Sequence, residues 1–246
     1  MQGKVVLVTG GAKRVGAAIC RRLHANGMTI AIHYRSSRQE AADLQNALNT
    51  IRPDSAAIFR ADLLQLDALP ELVSKVVKKF GRLDGLVNNA SSFYATPLAG
   101  IDEQQWSDLV GTNLKAPLFL AQAAAAELHR RHGAIVNIVD IHAERPMHGH
   151  LLYSTAKAGL VALTKGLAQE LAPQVRVNAV APGVIIWPEN EAWMDDAQRR
   201  KIVAHTLLKR EGEPDDIART VLFLIADAPY ITGEVITVDG GRNVNL

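Results

Sequence analysis

A strand, a glycine-rich turn and a helix follow one another at the start of the chain, and this unit constrains the fold most. Residues 4–9, KVVLVT, form a short β-branched run typical of a strand buried on both faces of a parallel sheet. After the turn from Gly10 to Gly16, helical periodicity continues to a predicted C-cap at Gly27. Such a turn lets the backbone and the helix N-terminus approach a pyrophosphate. The unit predicts a dinucleotide or other phosphate site, with a plain tight turn as the alternative because Arg14 replaces the usual third glycine.

The same alternation continues along the whole chain. Seven short apolar runs are separated by helical patterns, and no repeat beyond this unit is visible. Hydrophobic residues make up 48% of the chain, which supports a sizeable core, and no linker-like stretch interrupts it. We therefore predict an α/β architecture, with residues 1–246 forming a single-domain doubly wound Rossmann fold around a seven-stranded parallel sheet.

Charge and composition exclude several classes of partner. The net charge of +2 gives no footprint for nucleic acid or a membrane surface, and no apolar stretch approaches the length of a membrane span. The single cysteine, Cys20, fits core packing and a reducing compartment. His148 and His150 lack a third ligand at a convincing spacing, so no metal site is expected. We expect a cytoplasmic protein whose partner is a small molecule.

The residues after the second strand indicate which dinucleotide is bound. A site for an unphosphorylated ribose would usually have Asp or Glu there, but this chain has Tyr34, Arg35 and Ser36. Guanidinium and hydroxyl groups suit a 2′-phosphate, and Arg14 can point to the same region. These residues predict NADP(H). The alternative is that Arg35 and Arg38 are only solvated residues at the start of the next helix. For Arg38 we prefer this second interpretation.

The segment from Asp140 to Lys157 carries the candidate chemistry. Tyr153 and Lys157 lie four residues apart on a predicted helix, so they share one face. An ammonium beside a phenol stabilises phenolate, and we expect it to lower the pKa of Tyr153 towards working pH, as a general acid requires. Asp140 ends a predicted strand at the edge of the sheet where ligands bind. Taken alone, the spacing of Tyr153 and Lys157 is a weak signal of function, because the same spacing also occurs on an exposed helix face.

Polar residues follow other strands at the same edge. Asp62 could accept a hydrogen bond from an adenine amino group or cap the next turn. A loop of polar and then aromatic residues, 88–94, follows the fourth strand. Asn113 lies in an apolar helix, where Pro117 removes its hydrogen-bond donor and predicts a local distortion. Residues 184–212, which include Trp187 and Trp193, interrupt the pattern and form a candidate substrate loop.

Several motifs in order resemble the short-chain dehydrogenase/reductase family over nearly the full length. They are the glycine turn, Asn88-Asn89-Ala90, Asn113, Tyr153-x3-Lys157 and Pro182-Gly183. The family normally has a catalytic serine where this chain has Asp140. That departure, with Arg14 and the run from Asn88 to Leu98, resembles the pteridine reductases, which reduce pterins and sometimes folates with NADPH.

The resemblance implies roles for individual residues. It implies that Asp140, Tyr153 and Lys157 carry catalysis, with the Asn113 backbone ordering a proton-relay water. It also implies that Arg14 and Ser91 contact cofactor phosphate and pterin, and that Phe93 stacks on the pterin. We expect the substrate to contact Arg14, Ser91, Phe93, Asp140 and Tyr153. The expected cofactor site comprises Gly10, Lys13, Arg14, Val15, Tyr34, Arg35, Ser36, Asp62, Leu63, Asn89, Ala90, Ser91, Tyr153, Lys157, Pro182 and Gly183.

The expected function is NADPH-dependent reduction of a biopterin-like or dihydropterin substrate, with dihydrofolate as a further possibility, by a homotetramer. One alternative is another NADPH-dependent carbonyl reductase of the family, acting on acyl-carrier-protein or sugar substrates. Ordinary carbonyl reduction favours a hydroxyl at position 140. The other alternative is a catalytically inactive NADP(H)-binding sensor. The presence of Tyr153, Lys157 and Asn113 makes this alternative less favoured.

Overall fold

The computed structural model describes residues 1–186 and 195–244. Their strands are β1 (Val5–Val8), β2 (Thr29–Tyr34), β3 (Ala56–Arg60), β4 (Gly85–Asn88), β5 (Ala134–Ile138), β6 (Arg176–Pro182) and β7 (Val235–Val238). Their α-helices are α1 (Arg14–Ala25), α2 (Arg38–Ile51), α3 (Ala68–Phe80), α4 (Glu103–Val110), α5 (Ala116–Arg131), α6 (Leu151–Leu171), α7 (Asp196–Ala204) and α8 (Pro214–Ala226).

The seven strands form one parallel sheet in the order β3-β2-β1-β4-β5-β6-β7. The chain moves outwards from β1 through β2 to β3, and then returns to β4 on the other side of β1. The predicted single doubly wound α/β fold is therefore confirmed. Ligands of such sheets bind where the strand order reverses, which here is the carboxyl edge between β1 and β4.

Alternate residues of each strand face opposite helical layers. Val6 and Val8 pack in one core with apolar residues of α1, α2 and α8, whereas Val5 and Leu7 pack in the other with α3, α5 and α6. This burial on both faces explains the continuous apolar runs seen in the sequence. Cys20 is fully buried in the first core, as predicted, and burial raises the pKa of its thiol.

The structure shows a capping motif at α4, confirms the distortion predicted near Pro117, and contains one helix that was not predicted. Asp102 caps α4, and Gln105 completes the capping box. The distortion expected near Pro117 is a π-helical turn at residues 111–115, which joins α4 to α5. Helix α7 lies within the loosely patterned 184–212 segment, where no helix was predicted.

Residues 187–194 lie outside the described residues, so Trp187 and Trp193 of the predicted loop do too. Across the described parts of the chain, no helix combines the length and apolar character needed to cross a bilayer. Nor do the described His, Cys, Asp and Glu residues form a group of three or more that could hold a metal ion.

Candidate active site

A cavity of about 440 Å³ lies at the carboxyl edge of the sheet, where the strand order reverses. It brings together most of the residues predicted for the site. Its lining comprises Gly10, Ala12, Lys13, Arg14, Val15, Gly16, His33, Tyr34, Arg35, Ser36, Ser37, Asp62, Leu63, Asn89, Ala90, Ser91, Ser92, Thr112, Ile138, Val139, Asp140, Tyr153, Lys157 and Pro182. Three predicted residues, Phe93, Asn113 and Gly183, are not part of this lining.

Asp140 and Tyr153 form a hydrogen-bonded pair inside the cavity. The phenol donates to Oδ2 of Asp140 over 2.7 Å. The other carboxylate oxygen, Oδ1, accepts from the backbone N–H of His142 over 2.8 Å and caps a short 3-10 turn. The two interpretations of Asp140, strand-end cap and chemical group, are thus compatible, because each uses a different oxygen.

Lys157 lies one helical turn beyond Tyr153 and is 2% exposed. Its Nζ donates to the carbonyl of Ile138 over 2.9 Å and lies 5.6 Å from the centroid of the Tyr153 ring. Burial lowers the pKa of Lys157 to about 8, because the charged ammonium loses water, although the Asp140 carboxylate opposes this change.

The expected lowering of the Tyr153 pKa is wrong. Burial raises the pKa of the phenol well above its ordinary value, the negative charge of Asp140 and the hydrogen bond to it raise it further, and a hydrogen bond with Ser91 opposes them. The phenolate would lie in a dry site beside a carboxylate, and Lys157 does not outweigh that repulsion. Tyr153 is therefore held protonated, as a proton donor needs to be before the reaction.

The glycine turn is fixed by close backbone approach. A Cβ built on Gly16 would lie 2.2 Å from the carbonyl oxygen of Gly10, so no larger residue fits there without movement. Gly10 has a positive φ of 59°, and a Cβ there would crowd Ala90. The amide N–H groups at the start of α1 are left to face the cavity, which suits an anionic phosphate.

Neighbouring strands hold this turn from both sides. The side chain of Asn89 donates to the carbonyls of Thr9 and Gly10 at 2.9 and 3.1 Å. The Thr9 hydroxyl accepts from the backbone amides of Asn89 and Ala90. The amide of Gly11 bonds the backbone carbonyl of His33 over 2.9 Å. Residues that follow β1 and β4 therefore form one hydrogen-bonded unit with His33 of β2.

His33 is a site residue that the sequence analysis missed. It is 2% exposed, its Nδ1 accepts from the amide of Gly10 over 3.1 Å, and its Nε2 lies 3.2 Å from the carbonyl of Ala61. Those partners require the neutral ring with the proton on Nε2. The sequence feature that could have identified His33 is its position as a polar residue near the end of an otherwise apolar strand.

Three polar side chains lie on the β2 side of the cavity, away from the Asp140–Tyr153 pair. Arg35 and Ser36 follow β2 and are exposed, while Lys13 forms an ion pair with Glu40 of α2.

The expected orientation of Arg14 needs correction, because its guanidinium donates to the carbonyl of Ile186, beyond β6, over 3.2 Å. Asp62 uses Oδ1 to accept from the amide of Leu64, which is the turn-capping interpretation.

Asn113 connects the π-helical turn to the loop after β4. Its side chain accepts from the Ser91 hydroxyl over 2.6 Å and donates to the carbonyls of Ser92 and Leu109. The side chain is thereby fully used in fixing the loop. Because Pro117 has no N–H, the backbone carbonyl of Asn113 lacks the donor that an α-helix would supply.

Phe93 is half-buried beside Tyr153. Its ring stacks on His150 with centroids 4.8 Å apart and planes 16° apart. It meets the edge of the Tyr153 ring, also at 4.8 Å, with planes at 84°. The ring is thus in contact with Tyr153, although it does not line the main cavity.

Comparisons with known proteins find relatives of two activities. A family model described as Enoyl-(Acyl carrier protein) reductase matches residues 10–243. Pteridine reductase 1 of Leishmania tarentolae is 37% identical over 281 residues, covering 98% of this chain and 96% of the relative. The 3-oxoacyl-(acyl-carrier-protein) reductase FabG of Staphylococcus epidermidis is 38% identical over 241 residues, covering 97% and 98%. An uncharacterized oxidoreductase of Methylorubrum extorquens is 36% identical over 245 residues, with 98% of both chains covered.

Proposed function

The chain belongs to the short-chain dehydrogenase/reductase family, and on that premise we propose that it is a pteridine reductase that uses NADPH. It is a short-chain oxidoreductase with a nicotinamide dinucleotide cofactor. Identity alone does not separate the two named relatives, which reach 37% and 38%. The observation that carries the proposal is the hydrogen bond between Tyr153 and Asp140, because it places a carboxyl group where a hydroxyl suffices for carbonyl reduction.

The cavity suits a dinucleotide. The close approach of Gly16 to Gly10 and the free amide end of α1 form a cradle for a pyrophosphate. Arg35, Ser36 and Lys157 line the cavity, and we assign the first two to a 2′-phosphate and Lys157 to the ribose next to the nicotinamide. When bound, the cofactor supplies the hydride.

The residues of the chain handle the proton. Reduction of a ring C=N bond adds hydride to carbon and a proton to nitrogen. Tyr153, held protonated, can pass a proton through their hydrogen bond to the Asp140 carboxylate, which binds the amino-substituted edge of a pterin and delivers the proton to the ring nitrogen; the phenolate that remains then regains a proton from water. The Lys157 ammonium, 5.6 Å from the centroid of the Tyr153 ring, would offset part of the negative charge that remains.

The experiment measures NADPH oxidation with a panel of oxidised pterin, dihydropterin, folate and acetoacetyl-acyl-carrier-protein. We expect kcat/KM to be highest for a pterin. Asp140→Asn, which keeps the shape but lacks the titrating proton, and Asp140→Ser should retain NADPH binding and lose about 100-fold in turnover of oxidised pterin. Wild-type pterin turnover in Asp140→Asn would make Asp140 structural and refute the proposed role.

The second candidate is reduction of an acyl-carrier-protein substrate, favoured by the FabG relative and the family model. It predicts that Asp140→Ser improves carbonyl reduction. Faster turnover of acetoacetyl-acyl-carrier-protein by this variant than by wild type, with no pterin activity in either, would select this candidate.

A further inference from the structure

A second cavity, of about 350 Å³, adjoins the candidate active site. It lies between the turn that follows Asp140, helix α7 and the turn that follows β7. Five of the nine described residues that line it are basic, and none of the nine carries a carboxylate. The basic ones are His142, Arg145, Lys201, His205 and Arg242. We call this the basic cavity.

Within the described chain, the side chains of Arg145, Lys201 and Arg242 make no ion pair and no hydrogen bond to another residue. Two carboxylates on the flanking segments accept hydrogen bonds from other donors. Glu144 accepts from the side chain of Asn243 over 2.9 Å, and Asp239 accepts from the backbone amides of Gly241 and Asn243. Three positive charges are therefore gathered around one cavity without an ion-pair partner among the described residues. The Asp140 and Asp239 carboxylates offset part of the Arg242 charge, and an entering anion would offset more of the repulsion among the three.

Arg242 shows that the unfavourable charge is not simply solvated. Its side chain is half-buried, and burial lowers the pKa of the guanidinium because water is removed, while Asp140 and Asp239 oppose the change. Charged side chains are almost never fully buried unless they are paired, and Arg242 has lost part of its water without forming an ion pair in the described chain. Because the Asp140 carboxylate interacts electrostatically with Arg242, this arginine lies near the proposed catalytic carboxyl group.

The main cavity and the basic cavity meet at one segment. The backbone N–H of His142, a residue of the basic cavity, donates to Oδ1 of Asp140 over 2.8 Å. A substrate whose ring contacts Asp140 and Tyr153 could thus extend a side chain past His142 towards Arg242.

We propose that the basic cavity binds an anionic side chain of the pterin, either a carboxylate or a phosphate ester, while Asp140 and Tyr153 engage the ring. This inference rests on the proposed function and adds to it a substrate class. Arginine offers paired N–H donors that match both anions, and Lys201 adds a point charge at the rim.

The test compares substrates that share a ring but differ in charge. One pair is dihydrofolate, with its glutamyl carboxylates, and dihydrobiopterin; the other is dihydroneopterin monophosphate and dihydroneopterin. For each pair, the ratio of kcat/KM, anionic over neutral, is measured in wild type, Arg242→Gln and Lys201→Gln. The control is Arg200→Gln, which removes a positive charge from the same exposed helix but does not line the basic cavity.

We expect Arg242→Gln to lower the ratio about tenfold for at least one pair, since a charge-assisted hydrogen bond is lost, and Lys201→Gln to lower it about threefold. The pair that responds identifies the anion as carboxylate or phosphate. Arg200→Gln should leave both ratios as in wild type, and the wild-type ratio should fall as salt increases.

Three results would overturn the inference, and they are distinguishable. Equal ratios in wild type and Arg242→Gln, with dihydrobiopterin still reduced, reject the basic cavity as a subsite but leave the proposed function intact. Failure of wild type to reduce any pterin rejects both. Reduction of acetoacetyl-acyl-carrier-protein that is impaired by Arg242→Gln and Lys201→Gln would assign the basic cavity to that carrier instead.

Discussion

The Nδ1 atom of His33 accepts a hydrogen bond from the amide of Gly10 over 3.1 Å, although the two residues are 23 positions apart. Burial lowers the pKa of His33 to about 4, partly offset by its bond to Ala61 and by Asp62. The ring is therefore neutral at physiological pH, which leaves Nδ1 free to accept. This bond fixes the turn that forms the proposed phosphate cradle.

Two isosteric changes should separate the roles of the two His33 nitrogens. The Oδ1 atom of an asparagine can take the place of Nδ1 and keep the bond from Gly10, whereas the amide of a glutamine takes the place of Nε2 and keeps the bond to Ala61. We expect His33→Gln to raise the Kd for NADPH about tenfold and His33→Asn to change it much less. Fluorescence titration measures both, and equal Kd values for the two variants would contradict a positioning role.

Removing the buried charge of Lys157 should stabilise the protein while abolishing activity. The pKa falls from 10.5 to about 8, so at pH 7 the folded state holds this proton less tightly than the unfolded state. That difference corresponds to roughly 3 kcal/mol against folding. Allowing for the lost bond to Ile138, Lys157→Met should be more stable by about 1–2 kcal/mol at pH 7.

The pH dependence provides a check on this Lys157 prediction. A lowered lysine pKa destabilises the folded state below about pH 8, and the effect disappears as pH rises past 10.5, where both states are neutral. The gain of Lys157→Met, followed by chemical denaturation, should therefore shrink between those values. A variant less stable than wild type at pH 7 would show that the ammonium is well solvated or well paired.

Arg35 should decide the choice between NADPH and NADH. It lines the cavity next to Ser36, is exposed, and makes no ion pair within the described residues. Loss of a guanidinium contact to the 2′-phosphate should lower the kcat/KM ratio of NADPH over NADH about tenfold in Arg35→Ala. Arg38→Ala is the matched control, because Arg38 is exposed on α2 and does not line the cavity. Equal use of the two cofactors by wild type would reject the preference itself.

Phe93→Ala should affect substrate binding more than stability. The ring is half-buried and packs on His150 and Tyr153, so its loss should cost less than the ~3–5 kcal/mol of a core phenylalanine. We expect a raised KM for pterins and a loss of about 1–2 kcal/mol in unfolding free energy. Phe59→Ala, which removes a ring packed on Phe80 away from the site, should reduce stability without changing KM. The same outcome for Phe93 would make it a packing residue.

We expect the protein to form a homotetramer, by analogy with its family. Trp106 of α4 is 47% exposed and Leu118 of α5 is 40% exposed, which provides apolar surface on the helices that would associate. Trp106→Glu should shift the sedimentation coefficient towards smaller species. Ile51→Glu, at the exposed end of α2, serves as a control for added charge. A monomeric wild type at micromolar concentration would refute the expectation.

The features predicted from sequence are those set by local periodicity. The order of strands and helices, the glycine turn and the meeting of Asp140, Tyr153 and Lys157 follow from helix spacing and from the shared carboxyl edge of parallel strands. The ionisation of Tyr153 did not follow, because burial and the distance to Asp140 are set by tertiary packing. The orientation of Arg14 towards Ile186 depends on a segment 172 residues away, and spacing carries no information about it.

The hydrogen bonds from Asn89 to the Thr9 and Gly10 carbonyls also bear on the order of events during synthesis. β1 emerges first, yet the turn that follows it is completed by Asn89, which lies 80 positions after Thr9 and 79 after Gly10. A nascent chain that ends before β4 consequently lacks the side chain that closes this turn, even if β1, α1 and β2 have already paired. We then expect tight binding of a dinucleotide only after Ala90 has left the ribosome. Measuring dinucleotide binding by chains released at successive lengths would show the length at which β4 joins β1 in the sheet.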